Sequence, residues 1–300
     1  MRGLEIGPYF NPIAPKSEGY DTITVDVHDA ITLRRLAAAD PNIESASIDS
    51  IEEVDIVGSA AALSELLATR GITDLDFVVS SHNFEHLPDA IGFLNAVERA
   101  LKPGGVLTMA IPDKRRCFDH FRPLSTLVDF LEAYHSRSAM PTPAQVLAHA
   151  IDCCRFEDSL PLTVLLRKSY DSYLARREHG GDYVNVHCWT FTPTSFRLLI
   201  EDLRHLGLMG LEILDLESLG GEFVVWLAPS ASDRSSEAAS EDDTQYRKRR
   251  TALRHEIARE LVDSEGVPSP LGRGRTLPTG TAAPRTVRNL WRFLRRRPLG

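Results

Sequence analysis

Between Asp76 and Pro112 the chain passes twice from a short apolar run into small or polar residues, with one helical repeat in between. Asp76-Phe77-Val78-Val79-Ser80 reads as a buried strand, and Ser81 to Asp89 as a polar loop containing a proline. Ile91, Leu94, Val97 and Leu101 then recur at helical spacing. Lys102-Pro103-Gly104-Gly105 breaks that helix, and Val106 to Ile111 is a second buried strand stopped by Pro112.

The alternation extends in both directions. Leu4-Glu5-Ile6-Gly7-Pro8 is an apolar strand ending in a tight loop, and Thr22 to Val27 is a β-branched strand. Ala30 to Ala39 has helical composition and stops at Asp40-Pro41. Val54 to Gly58 is a third strand, and Ser59 to Arg70 a helix stopped by Gly71. Near residue 200 a helix over Thr194–Leu206 precedes strands at Leu211–Leu216 and Glu222–Leu227, with Gly220-Gly221 as a hairpin turn. Short apolar strands alternating with helices predict an α/β fold: a doubly wound, mostly parallel, seven-stranded Rossmann-like sheet covered on both faces and closed by a C-terminal antiparallel hairpin. Ligands of such sheets bind beyond the carboxyl ends of the strands. Those ends are Gly7, Asp26, Gly58, Ser80 and Pro112.

Two regions depart from this pattern. Residues 114–190, rich in Arg, His, Tyr and Pro, hold helical pieces around Leu124–Tyr134 and Gln145–Ala150 and read as a cap inserted over the carboxyl edge. The expected domain is therefore 1–229, followed by a tail over 230–300. Ser230–Thr244 is low in complexity, Gln245–Val262 suits a charged helix, and Asp263–Pro284 is a linker. Within 286–297, Val287, Leu290, Trp291 and Leu294 form an apolar stripe flanked by arginines, a pattern suited to an anionic membrane surface or a partner groove.

Residues 230–300 carry 15 Lys/Arg and 9 Asp/Glu, a balance of +6 that leaves −14 on residues 1–229 of a chain with net charge −8. So acidic a body argues against nucleic acid as the main partner. No apolar run approaches the ~20 residues of a membrane-spanning helix, and the first residues lack the apolar run of a signal peptide. A cytoplasmic protein is expected, peripheral at the inner face of the membrane if the tail binds there. Cys117, Cys153, Cys154 and Cys188 contain no C-x-x-C pair and read as reduced thiols. His82-Asn83-Phe84-Glu85-His86 matches H-x-x-E-H, but that zinc pattern needs both histidines on one helix face. Here Leu87-Pro88 follows at once, so no metal is expected.

In this order the segments resemble the class I S-adenosylmethionine (SAM)-dependent methyltransferases, in particular the bacterial type 11 group. The resemblance rests on Leu4-Glu5-Ile6-Gly7-Pro8, Val25-Asp26, Phe77 through Asp89 with its Glu85-His86-Leu87-Pro88-Asp89, and Leu101-Lys102-Pro103-Gly104-Gly105-Val106-Leu107. It implies a methyl transfer to a small-molecule or glycan acceptor, on oxygen or nitrogen. The string Ala110 to Asp119 is similar to a subgroup found near cell-envelope functions. The implied SAM-binding residues are Glu5, Ile6, Gly7 and Pro8 in the first loop, Asp26 for the ribose diol, Gly58 and Ser59 for adenine, and Ser81 and His82 near the methyl group. Tyr9 stands where a second glycine is usual, and Ser59 where many members have an acid, with Asp55 as a substitute if its loop folds back. A hydroxyl acceptor also needs a positioned base; His82 is the first candidate, then His187 and Asp113. Tyr183 and Trp189 would suit stacking on the acceptor. Two other readings compete: a degenerate methyltransferase fold serving as a binding or scaffold protein, and a nicotinamide-dependent dehydrogenase. Against the second, the first loop lacks G-x-G-x-x-G.

Overall fold

The β-branched and aliphatic runs assemble into one sheet of order β3-β2-β1-β4-β5-β7-β6. A computed structural model describes residues 1–41, 43–153, 162–230 and 243–265. The strands are β1 (Arg2–Ile6), β2 (Asp21–Asp26), β3 (Ile56–Val57), β4 (Leu75–Ser81), β5 (Leu101–Pro112), β6 (Leu211–Ser218) and β7 (Glu222–Pro229). The first five run parallel, and β7 is antiparallel to both β5 and β6. Register brings their functional ends level: Ile6 pairs with Val25 and Ser80, Asp26 with Val57, Ser81 with Ala110, and Pro112 with Glu222. The carboxyl edge thus also receives the first residue of β7.

Nine α-helices surround the sheet among the described residues: α1 (Ala30–Ala39), α2 (Ser45–Ile48), α3 (Leu63–Ala68), α4 (Ala90–Ala100), α5 (Leu127–His135), α6 (Pro143–Asp152), α7 (Leu162–His179), α8 (Pro193–His205) and α9 (Asp243–Glu265). Their starts follow from their caps. Asp29 and Asp89 accept the N–H of Thr32 and Gly92, while Thr126, Thr142 and Thr192 form capping boxes with Asp129, Gln145 and Ser195. One face of the sheet buries Leu4, Val78 and Leu107 against Leu63, Leu67, Ile91, Leu94, Phe196 and Leu203.

The other face is covered in part by the connection that follows β1. The connection from β1 to β2 contains Pro8, Pro12 and Pro15, and proline both removes a helical hydrogen bond and clashes with the preceding turn. Only a single 3₁₀ turn, Lys16–Glu18, forms there. The loop is pinned instead by Glu5, whose two oxygens accept the N–H groups of Ile13 (2.6 Å) and Ala14 (2.9 Å). Ile13 and Ala14 then pack against Phe77, Val79, Val106, Ala110, Val224 and Trp226.

Three boundaries also differ. The third strand keeps two residues of the expected five, because it is the sheet's edge and Val57 is half exposed. The helix over 59–70 divides into a 3₁₀ turn at Ala60–Ala62 and α3. Lys102-Pro103-Gly104-Gly105 does not interrupt the secondary structure but bulges within β5. Leu101 pairs with Leu75 and Val106 with Phe77, and Gly104 takes φ +80°. The cap residues carry α5, α6 and α7, the last not anticipated. The charged helix of the tail is α9, which lies on α8: Arg250 donates to Asp202 at 2.8 and 3.1 Å, and Tyr246 bonds the same carboxylate and stacks on His205. The basic stripe over 286–297 lies outside the described residues.

Burial raises the Glu5 carboxyl from its ordinary range to about 7, against the opposing effect of its two backbone hydrogen bonds. An unfolded chain gives up that proton near pH 4.5, before the folded one does, so the contribution to stability is present below pH 4.5 and is lost as pH rises through 7. Urea unfolding is expected to show this slope in the natural chain and not in Glu5→Ala. That variant should also be less stable by about 2–4 kcal/mol at low pH, because two buried N–H groups lose their acceptor.

Candidate active site

The first loop meets the carboxyl edge at Gly7, which turns with φ +63° and donates its N–H to Val25 (2.8 Å). Nothing lies within 4 Å of where its Cβ would stand, so the backbone faces open space between Ile6 and Pro8. Tyr9 keeps a left-handed backbone, φ +45°, although it carries a side chain. That conformation is uncommon for a tyrosine, and its ring is held edge-on to Phe10 at 4.9 Å. The position that is usually glycine in the resembling family thus retains the glycine conformation here.

Asp26 ends β2, nearly buried, with its carboxylate accepting the N–H of His28 (3.2 Å) and burial raising its pKa. Gly58 follows β3, and a side chain there would meet Leu66 at 2.8 Å. Ser59 uses its hydroxyl to accept from Ala61 (3.2 Å), capping the turn that follows. Asp55 does not fold back to replace an acid at this place. It precedes β3, at the opposite end of the strand, bound to Lys16 (2.6 Å) and to the N–H of Thr24 (2.7 Å).

Four of the sequence-predicted residues have partners that change their expected roles. Glu5 was expected to face the amino-acid end of the cofactor; it is 2% exposed, and both its oxygens hold the loop. His82, expected as the base, sits just past β4 at φ +48°. Its Nε2 lies 2.7 Å from Glu222 Oε2 and its Nδ1 3.6 Å from Glu85 Oε1. Burial opposes the charge, but the two carboxylates outweigh it and lift the imidazole to about 10, so it is a cation at neutral pH. Asp113 is buried in a two-pronged ion pair with Arg115, at 2.9 Å to Nε and 2.5 Å to Nη2, and also accepts the Arg115 N–H. Trp189, expected to stack on an acceptor, lies in the core, parallel to Phe130 at 4.0 Å, with Nε1 donating to Leu87. Tyr183 remains exposed.

His187 is the third base candidate. It is buried, and its Nδ1 lies 2.5 Å from Asp119 Oδ2, while the other oxygen of Asp119 takes Arg122 at 2.8 Å. Burial opposes ionisation of Asp119, but His187 and Arg122 hold its pKa below the ordinary value. The segment carrying His187 is stitched to the turn after β4. The carbonyl of Glu85 accepts the N–H groups of Cys188 (2.7 Å) and Trp189 (3.1 Å), and the carbonyl of Val186 faces His86 Nδ1 (3.1 Å). The site therefore brings together residues near 82, 119, 187 and 222. Asp119 and Glu222 were not singled out from sequence. Glu222 carried no local signal beyond its place at the start of the last strand.

Residues 39–109 match the family model described as a methyltransferase domain, and the sheet that contains them has the mixed, hairpin-closed form of the class I enzymes. Over this span the chain is similar to the methyltransferase-domain family. The matched span runs from the end of α1 through most of β5, so it includes Gly58, Ser81 and His82, while Gly7 and Asp26 precede it. No curated protein matches the sequence. Among solved structures, the chain is similar to the mitomycin 7-O-methyltransferase MmcR at 14% identity and TM-score 0.36, over 76% of this chain and 49% of that one. CcbJ methyltransferase from Streptomyces caelestis aligns at 15% identity and TM-score 0.39, over 76% of this chain and 89% of that one. The O-methyltransferase NcsB1 from neocarzinostatin biosynthesis, solved with SAM and 2-hydroxy-5-methyl naphthoic acid, aligns at 11% identity and TM-score 0.37, over 76% and 49%. The chain spans about half the length of MmcR and NcsB1. Among the described residues, no helix is long and apolar enough to cross a membrane.

The His82 assignment has a spectroscopic consequence. In NMR titrations its ring should stay protonated up to about pH 9. Removing one carboxylate in Glu222→Gln is expected to bring its titration down toward the ordinary histidine range, with the other histidines little affected.

Proposed function

We propose that the protein binds SAM across the carboxyl ends of β1, β2, β3 and β4 and methylates a small molecule, with a hydroxyl-bearing compound, glycans included, as the acceptor class. The observation that carries this reading is the convergence of an open left-handed Gly7, a strand-end Asp26 and a left-handed His82 on one edge of a methyltransferase sheet. SAM fits the residues present. Gly7 leaves room for close backbone approach, Asp26 can accept from a ribose diol, and Gly58-Ser59 borders the adenine side. With the Ser59 hydroxyl engaged in its own turn, adenine recognition falls to backbone and shape.

When bound, the cofactor supplies a methyl group already activated on a sulfonium sulfur. The protein's part is alignment of the acceptor and handling of its proton. Protonated His82 and ion-paired Asp113 suit electrostatic and structural tasks. Beside His82 stand Glu85 and, around the same carboxylate, His86 and His187, where His187 is held by Asp119. Support for a hydroxyl acceptor comes from this polar cluster and from the cap that shields it. A cleft of about 430 Å³ between α5, α6 and the 188–190 segment, with Ser125, Gln145 and Thr190 on its wall, offers a nearby place for polar ligands.

Calorimetric titration with S-adenosylhomocysteine tests the reading. Micromolar binding is expected, with none for NAD. Asp26→Ala should weaken binding tenfold or more while its circular dichroism stays unchanged. A folded chain that binds neither ligand would favour the scaffold reading instead.

A further inference from the structure

Three imidazole nitrogens surround one carboxylate oxygen in this protein. Glu85 Oε1 lies 3.6 Å from His82 Nδ1, 3.9 Å from His86 Nε2 and 3.9 Å from His187 Nε2. None of these distances is a hydrogen bond. Both carboxylate oxygens of Glu85 are buried with no hydrogen-bond partner among the described residues, and the residue is 1% exposed. The His82 imidazolium faces Oε1 without a hydrogen bond, and Oε2 has no hydrogen-bond partner among the described residues, a costly setting for an anion.

The tautomers sharpen the point. His187 directs Nδ1 at Asp119 (2.5 Å), and His86 directs Nδ1 at the carbonyl of Val186 (3.1 Å). The carbonyl can only accept, so the His86 proton sits on Nδ1, and a neutral His187 donates to Asp119 in the same manner. With both rings in this tautomer, the two Nε2 atoms carry lone pairs and lie within 4.8 Å of each other and of a Glu85 oxygen. Lone pairs do not converge without something positive between them. A carboxylate or backbone carbonyl behind the second ring nitrogen is also the arrangement that orients metal-bound histidines.

We propose that Glu85, His86 and His187 form a binding site for a divalent transition metal such as zinc, with Asp119 and the Val186 carbonyl orienting the two imidazoles. Their ligand atoms all lie within 4.8 Å of one another. Nitrogen and oxygen ligands sharing zinc at about 2.0–2.2 Å stand about 3.3–3.6 Å apart, so closure needs only small rotations of the rings. Two histidines and one carboxylate leave a coordination position open. The approach is from the side of His86, whose side chain is 23% exposed, beneath the half-exposed His82. The sequence pattern H-x-x-E-H was set aside because His82 and His86 are not on one helix, and they are not: Phe84–His86 is a single 3₁₀ turn. The missing ligand comes from the cap, one hundred residues downstream. The neighbouring trio Asp119, His149 and Cys153 also has metal-ligand chemistry, but Cys153 already contacts both partners, at 3.3 and 3.7 Å.

The test is zinc titration of the full chain after removal of bound metal with a chelator, followed by calorimetry and by elemental analysis of the dialysed complex. One zinc per chain at micromolar affinity or tighter is expected. His187→Ala and Glu85→Gln should each weaken it at least tenfold, while Cys153→Ala should leave it unchanged. If the buried variants fail to fold, the partly exposed His86→Ala carries the same expectation. Cobalt in place of zinc should give visible absorption bands that His86→Ala abolishes. Absence of stoichiometric binding to the folded chain, or affinity unaffected by His86→Ala, overturns the assignment and leaves a shared proton as the cation of the cluster. S-adenosylhomocysteine binding, which depends on Asp26, is measured separately, so failure of the metal site and failure of the cofactor reading are distinguishable.

Discussion

The backbone carbonyl of Glu85 holds this architecture together. It accepts the N–H groups of Cys188 and Trp189, and so ties the end of a long cap to the turn that leaves the central strand β4. The His86–Val186 and Trp189–Leu87 contacts and the Asp113–Phe191 bridge hold the same segment beside it. So held, His187 comes to face the side chain of the same Glu85, and Trp189 closes the core against Phe130 and Leu87. One residue thus fixes the cap through its main chain and gathers the imidazoles through its side chain.

The fold was legible because its signal is periodic and local. Helix α1 has the bounds that composition gave it, and the strand ends at Asp26 and Pro112 fall where the apolar runs stop. What escaped was set by pairing between distant segments. Lys102 to Gly105 contains the residues that break helices and strands alike, yet Leu75 on the neighbouring strand accepts Leu101 as a partner, and the break becomes a bulge. The absence of a helix between β1 and β2 could have been read from three prolines in eight residues.

The site was legible as a place more than as a set of roles. Gly7, Asp26, Gly58, Ser81 and His82 do lie along one edge, because register and strand polarity follow from the fold. Roles depend on partners, and partners come from anywhere in the chain. Glu222, 140 residues after His82, decides that this histidine is a cation; Arg115, two residues after Asp113, decides that this acid is neutralised. Glu5 braces the loop after β1 through both its oxygens, a pairing with Ile13 and Ala14 that its place at the strand tip did not announce.

The helix α9 bears on where the folded unit ends. Its Arg250 pairs with Asp202, a buried acid on α8, to which Tyr246 also donates, and its Glu260 carbonyl lies 3.5 Å from Arg115 Nη1 while the Glu260 side chain takes Thr194. Composition drew a boundary at Pro229. A fragment cut there would lose the Arg250 and Tyr246 partners of Asp202 and the Glu260 carbonyl beside Arg115. The charged helix, for all its solvent-facing residues, belongs to the body that carries the site, and any shortened form of the protein has to keep it.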